Sequence, residues 1–375
     1  MKRRHLIGAA STIVLSQLAG GCGQRVRPTL RVRLLKNSIP PILLRKFRQT
    51  QPSAVVLDFA PAAQLQDLFA SLQKWQQNQP GENYPQLVTM GDYWLKAAIE
   101  QKLIQPLDPQ KLTMWEQLAQ PWQELVRRDD QGNLAKDGPV WGAPYRWGTT
   151  AIAYRRDKFK PLGWEPTDWS DLWRPELRDR ISLPNHPREV IGLTLKKLGH
   201  SYNTENLANI PKLKAELQQL HSQVKFYSTD AYLEPLIIGD TWLAVGSSTD
   251  ILRVMERQSQ IKAVIPASGT AIWADLWVQP TPAAKNTSSE PNQNLPYQWI
   301  DFCWQPEVAP ILSLISDAAS PLLTTTDRQT LPESLQQNAA LLPAKEIIDK
   351  SEFIQQYPPE ITAQYTKLWQ EIRGL

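Results

Sequence analysis

The chain is poor in the residues that carry redox, metal and nucleophilic chemistry. Its 375 residues include two cysteines, Cys22 and Cys303, and four histidines. So few cysteines leave stability to the core rather than to covalent staples, and so few histidines argue against a histidine metal cluster. No metal and no cofactor is expected. The common catalytic signatures are missing as well: no G-x-S-x-G elbow, no phosphate loop ending in Gly-Lys-Ser/Thr, no H-E-x-x-H and no paired C-x-x-C. Ser71-Leu72-Gln73-Lys74 fits S-x-x-K by letter only, because it falls on an amphipathic helical stretch without companion motifs. With no nucleophile and base to pair, the chain reads as a non-enzyme. Charge of one sign is also scarce. The formal net charge is +4, but Lys2, Arg3 and Arg4 lie in the first 21 residues, which hold no acid, and +1 remains without them. That is too little for the concentrated basic face that nucleic acid requires.

What the N-terminus does have is the layout of an export signal. Lys2-Arg3-Arg4 is a charged start, Leu6 to Leu18 is mostly apolar, and Ala19-Gly20-Gly21 places small residues before Cys22. The apolar run is too short, and too interrupted by Ser and Thr, for a membrane span. The arrangement resembles a bacterial lipoprotein signal, in which Cys22 is acylated and becomes the mature N-terminus. It departs from that pattern at Ala19, where a larger apolar residue is usual, with Leu18 one step earlier. Arg3-Arg4 also fits twin-arginine export. The expectation is a removed segment 1–21 and a periplasmic protein held to the membrane through Cys22. Cys303 then has no partner, and its apolar setting from Tyr297 to Trp304 suits a buried, inert thiol.

Hydrophobic periodicity gives the fold class. Leu30-Arg31-Val32-Arg33-Leu34 alternates with period two, and the runs 54–59 and 86–90 are apolar and strand-like. Between them Leu65, Leu68, Phe69, Leu72 and Trp75 recur at helical spacing, and Asp92 reads as the N-cap of a helix to about Leu103. The runs 150–154, 242–245 and 262–265 read as strands, residues 203–221 as helix broken near Pro211, and the chain from Tyr297 onward as mainly helical. Residues 281–296 read as a loop. Strand alternating with helix predicts α/β layers. No sharp linker divides the chain, which suits two lobes that the chain enters more than once.

The fifteen tryptophans outnumber the seven phenylalanines. Indole suits stacking on cations or sugars, although most of these rings are expected in the core. Trp164, Trp169 and Trp173, near prolines, read as a packed turn. The most specific stretch is Gly142-Ala143-Pro144-Tyr145-Arg146-Trp147-Gly148-Thr149-Thr150-Ala151-Ile152. It closely resembles the Pro-Tyr-x-Trp-Gly-x-Thr-Ala-Ile segment of periplasmic spermidine/putrescine-binding proteins. The likeness continues through Trp169 to Glu176, Pro187-Arg188-Glu189-Val190, Thr194 to Gly199 and Asn203-Thr204, then Ile272-Trp273-Ala274-Asp275 and Phe302 to Ala309. It runs from about Leu30 to Asp317 and is strongest over 142–204.

The resemblance implies a two-lobe type II periplasmic-binding fold, each lobe a mixed sheet flanked by helices, with a hinge crossed near 144 and 276. Lobe 1 would hold residues 30–143 and 276–340, and lobe 2 residues 144–275 and 341–375. It implies a monomeric receptor that captures a polyamine or related amine and passes it to the permease of an ABC importer. An ammonium needs carboxylates and its methylene stem needs aromatic walls. Glu189, Trp273 and Asp275 match the family's ligand positions, and Tyr93 matches a cleft tyrosine. Other positions depart: the N-terminal loop reads Leu35 to Pro41, His186 replaces an aspartate, and Gly246 stands where a tryptophan is usual. Ser247, Ser248 and Asn37 offer hydrogen bonds to a smaller or more neutral solute. A neutral or anionic ligand in the same fold, or a ligand-free membrane-anchored assembly factor, are the alternatives.

Overall fold

The computed structural model describes residues 27–77, 84–281 and 294–374; the segment 1–21, read above as a signal, and Cys22 lie outside them. Among the described residues eleven strands form one sheet: β1 (Thr29–Leu35), β2 (Val56–Ala62), β3 (Leu87–Gly91), β4 (Ile104–Gln105), β5 (Ala143–Arg155), β6 (Ile181–Leu183), β7 (Val224–Tyr227), β8 (Leu243–Ser247), β9 (Ile261–Val264), β10 (Ala271–Pro280) and β11 (Glu352–Phe353). Their order is β2-β1-β3-β10-β5-β8-β6-β7, with β4 and β11 on β10 and β9 on β5. β1 alternates half-buried and buried residues, as its period-two sequence requires. β2 runs beside it in parallel, connected by the helix Pro41–Thr50. The stripe at 65–75 lies on the helix Leu65–Gln77, which buries Leu68 and Leu72. There Ser71 spends its hydroxyl on the Asp67 carbonyl of its own helix.

β5 and β10 organise the molecule. The run read as a strand over 150–154 is the second half of the thirteen-residue β5, buried along nearly its whole length. Its first half pairs with β10 and its second half with β8 and β9. Tyr145 and Trp147 belong to one hydrophobic core and Ile152 and Tyr154 to another. β10 repeats the exchange: Ala271 packs in the second core, Ile272 in the first. The chain passes again between them after Leu342, since Tyr365 and Trp369 of the helix Pro359–Arg373 pack in the second core.

One local expectation changes and another holds. Residues 203–206 are not helical; the helix is Leu213–His221, which follows Lys212 in a left-handed conformation. The tryptophan turn is a short 3-10 helix, Trp169–Trp173, closed by an Asp168–Asp171 capping box. Trp169 Nε1 bonds the Gly269 carbonyl at 2.9 Å, and the Arg174 guanidinium lies 4.0 Å from the Trp164 ring centroid.

Candidate ligand-binding site

The register around β10 brings the site together. Asp275 stands opposite Gly91 of β3 on one side and Arg146 of β5 on the other, and Trp273 stands opposite Gly148. A Cβ at Gly148 would lie 2.4 Å from the Trp273 ring. The glycine of the Pro-Tyr-x-Trp-Gly segment is therefore what lets the indole lie across the β5 backbone.

A cavity of about 410 Å³ opens over β10. The turn after β3 contributes Asp92, Tyr93 and Trp94, β10 contributes Trp273 and Asp275, and the start of the helix Pro187–Lys197 contributes His186 and Glu189. Tyr93, His186, Glu189, Trp273 and Asp275, all anticipated from sequence, thus line one cavity. Ser247 is not among its lining residues. Its N–H donates to the Tyr232 hydroxyl at 3.1 Å, just ahead of the helix Ser248–Met255. The Tyr232 ring also fills the space over Gly246, where a Cβ would lie 1.8 Å from it, so a tryptophan has no room there. Asn37 sits in an exposed left-handed turn.

Three carboxylates face the cavity, together with the rings of Tyr93, Trp94 and Trp273, and among the described residues no lysine or arginine lines it. Their environments differ. Glu189 is half-buried and accepts one bond, from Thr150 Oγ1 at 2.9 Å. Loss of hydration pushes its pKa up to about 7, with Thr150 and Arg188 opposing. Burial likewise pushes Asp92 up to about 7, against the Ala274 N–H that donates to its Oδ1 at 2.9 Å. This corrects the reading of Asp92 as a helix cap. The short 3-10 turn Asp92–Trp94 begins without a side-chain cap, and the carboxylate reaches across to β10.

Asp275 is already paired. It is 1% exposed and Arg146 is 3% exposed; Asp275 Oδ2 accepts a hydrogen bond from Arg146 Nε at 2.6 Å and lies 2.6 Å from Nη2 in the ion pair. Burial pushes the carboxyl up while the guanidinium opposes that push. Arginine does not deprotonate in proteins, so a fixed positive charge beside Asp275 favours its ionised form. Sequence reasoning missed Arg146. The signal available was an arginine inside an otherwise apolar strand.

A larger cavity of about 770 Å³ adjoins the first and shares Asp92, Tyr93, Ile272 and Ile354 with it. Its walls carry both signs, Lys96, Arg128 and Arg328 facing Glu124 and Glu352, and Tyr93 is the only residue anticipated from sequence that lines it. The smaller cavity is the better candidate because the anticipated side chains converge there.

Residues 82–351 match the family model of bacterial extracellular solute-binding proteins. The chain is 25% identical over 371 residues to a spermidine/putrescine-binding periplasmic protein of Salmonella typhimurium, covering 99% of this chain and 98% of that protein. It is 24% identical over 309 residues to the putrescine-binding periplasmic protein PotF of Escherichia coli, covering 77% and 78%. The solved structure of the spermidine/putrescine transporter substrate-binding protein PotD from Streptococcus pneumoniae superposes with a TM-score of 0.77 at 22% identity, over 92% of this chain and 99% of that one. The structural likeness gives the fold, the type II periplasmic-binding architecture. With the family match spanning most of its length, the chain belongs to the bacterial extracellular solute-binding proteins, receptors that bind solutes rather than transform them.

Proposed function

We propose that this receptor captures a small organic cation of the polyamine class in the 410 Å³ cavity and delivers it to the permease of an ABC importer. The observation that carries the reading is the lining: three carboxylates and three aromatic rings, with no lysine or arginine side chain among the described residues. An ammonium gains charge-assisted hydrogen bonds from carboxylates and attraction from ring faces, while an anion meets carboxylates and no lysine or arginine. The volume suits a small ligand. The polyamine-binding relatives support the same choice. A neutral solute draws its support from the Arg146–Asp275 pair, which removes one charge from the cavity.

The test is a thermal-shift screen of the mature protein against amines, amino acids, sugars and phosphates, since a ligand of the folded state raises apparent stability. Putrescine or spermidine should raise the melting temperature. If only sugars or phosphates do so, the cation reading is wrong.

The same proposal places the mature protein, as a monomer, on the outer face of the membrane through acylated Cys22. Support comes from the small residues before Cys22 and from the Treponema pallidum lipoprotein of this fold. Labelling with an alkyne fatty acid should mark wild type and not Cys22→Ser.

A further inference from the structure

Arg146 and Asp275 pose a question of charge. Asp275 lines the cavity beside Trp273, yet its Oδ2 is taken up by the Arg146 guanidinium, hydrogen-bonded to Nε and in ion-pair contact with Nη2. The same guanidinium has its Cζ 5.9 Å from the Trp273 ring centroid. It therefore makes the two contacts, carboxylate and ring, that an ammonium of the ligand would seek. Arg146 itself does not line the cavity, and its Nη1 is buried without a hydrogen-bond partner. Its position is fixed by strand register, opposite Asp275 across the β5–β10 ladder.

We propose that Arg146 is a specificity-determining residue that sets how many positive charges the ligand carries, by acting as a resident cation on Asp275. This rests on the cation reading above and deepens it. With Asp275 neutralised from behind, Glu189 and Asp92 are the carboxylates left to the ligand. Neither has a lysine or arginine within hydrogen-bond distance; their partners are Thr150 Oγ1 and the Ala274 N–H. The cavity then matches a diamine, whereas the third ammonium of a triamine finds its carboxylate already occupied. A cation competing for Asp275 must displace a guanidinium that is covalently part of the site.

The experiment is calorimetric titration of putrescine and spermidine into wild type, Arg146→Gln and the double variant Arg146→Gln/Asp275→Asn. Glutamine keeps one donor for Asp275 while losing the charge. Wild type should favour the diamine. Arg146→Gln should gain about tenfold or more for spermidine relative to putrescine, the size of one charge-assisted hydrogen bond. The double variant, lacking both charges, should return to the wild-type preference and remains informative if Arg146→Gln does not fold. A variant with no positive side chain and no carboxylate at this place that still gains for spermidine would overturn the assignment. So would an unchanged preference in folded Arg146→Gln when wild type binds amines. If wild type and both variants bind neither amine, the cation reading itself falls, and this inference with it.

Discussion

At the scale of single residues, the site is a set of carboxylates whose surroundings set their charge. Glu189 and Asp92 are both pushed up to about 7, chiefly by loss of hydration. An aliphatic amine stays protonated throughout the neutral range, so a bound ammonium and a proton compete for these oxygens. Amine affinity should therefore rise with pH, by about thirtyfold between pH 5.5 and pH 8 for each carboxylate that must ionise, and Glu189→Gln should weaken that dependence, leaving the part due to Asp92. The sign for stability is the reverse. A carboxyl with a raised folded pKa holds its proton more tightly when folded. The ligand-free protein thus loses stability from these groups as pH rises from about 4.5 towards 7. Titration of putrescine at the two pH values checks this, and equal affinity at both would show that these carboxylates do not hold the ligand. Glu189, Trp273, Asp275 and Tyr93 were legible through the family resemblance, which matches them position by position, and His186 through the aspartate it replaces; Ser247, named as a possible hydrogen-bonding group, does not line the cavity. Arg146, and the turn of Asp92 towards β10, were not legible. Both depend on a cross-strand neighbour more than a hundred residues away.

At the scale of elements, the strands were readable wherever alternation or a buried run made them so, with ends, apart from those of β5, displaced by one to three residues. β1 and the helix Leu65–Gln77 follow from their periodicity. The length of β5 does not, because a strand buried on both faces shows no alternation and carries a proline, an arginine and a glycine within it. The register of β5 on β10 explains those residues. Gly148→Ala would drive its methyl into the Trp273 ring, with a cost of about 1–3 kcal/mol typical of overpacking. A lowered melting temperature together with weakened amine binding is the expected result. Unchanged stability and affinity would mean that Trp273 is not held by this contact. Residues 203–206 are not helical because Asn203, Thr204 and Asn206 are weak helix formers and the segment has no apolar stripe to bury.

At the scale of the molecule, β5 and β10 each run from one core into the other, and the cavity takes Tyr93 and Trp94 from the side of the first core and Glu189 from the side of the second. A ligand held by both sides would favour the arrangement in which they approach. Saturating amine should reduce the radius of gyration in small-angle scattering, and an unchanged profile at proven saturation would remove hinge closure. The central claim, however, is that this cavity takes a cation. Isothermal titration of putrescine into the mature protein at pH 8, wild type against Glu189→Gln, tests it most directly. Wild type should give saturable heat, and the variant should bind about tenfold to hundredfold more weakly, the loss of one charge-assisted hydrogen bond. Folded wild type that gives no heat with millimolar putrescine, or a variant that binds it equally well, would contradict the account.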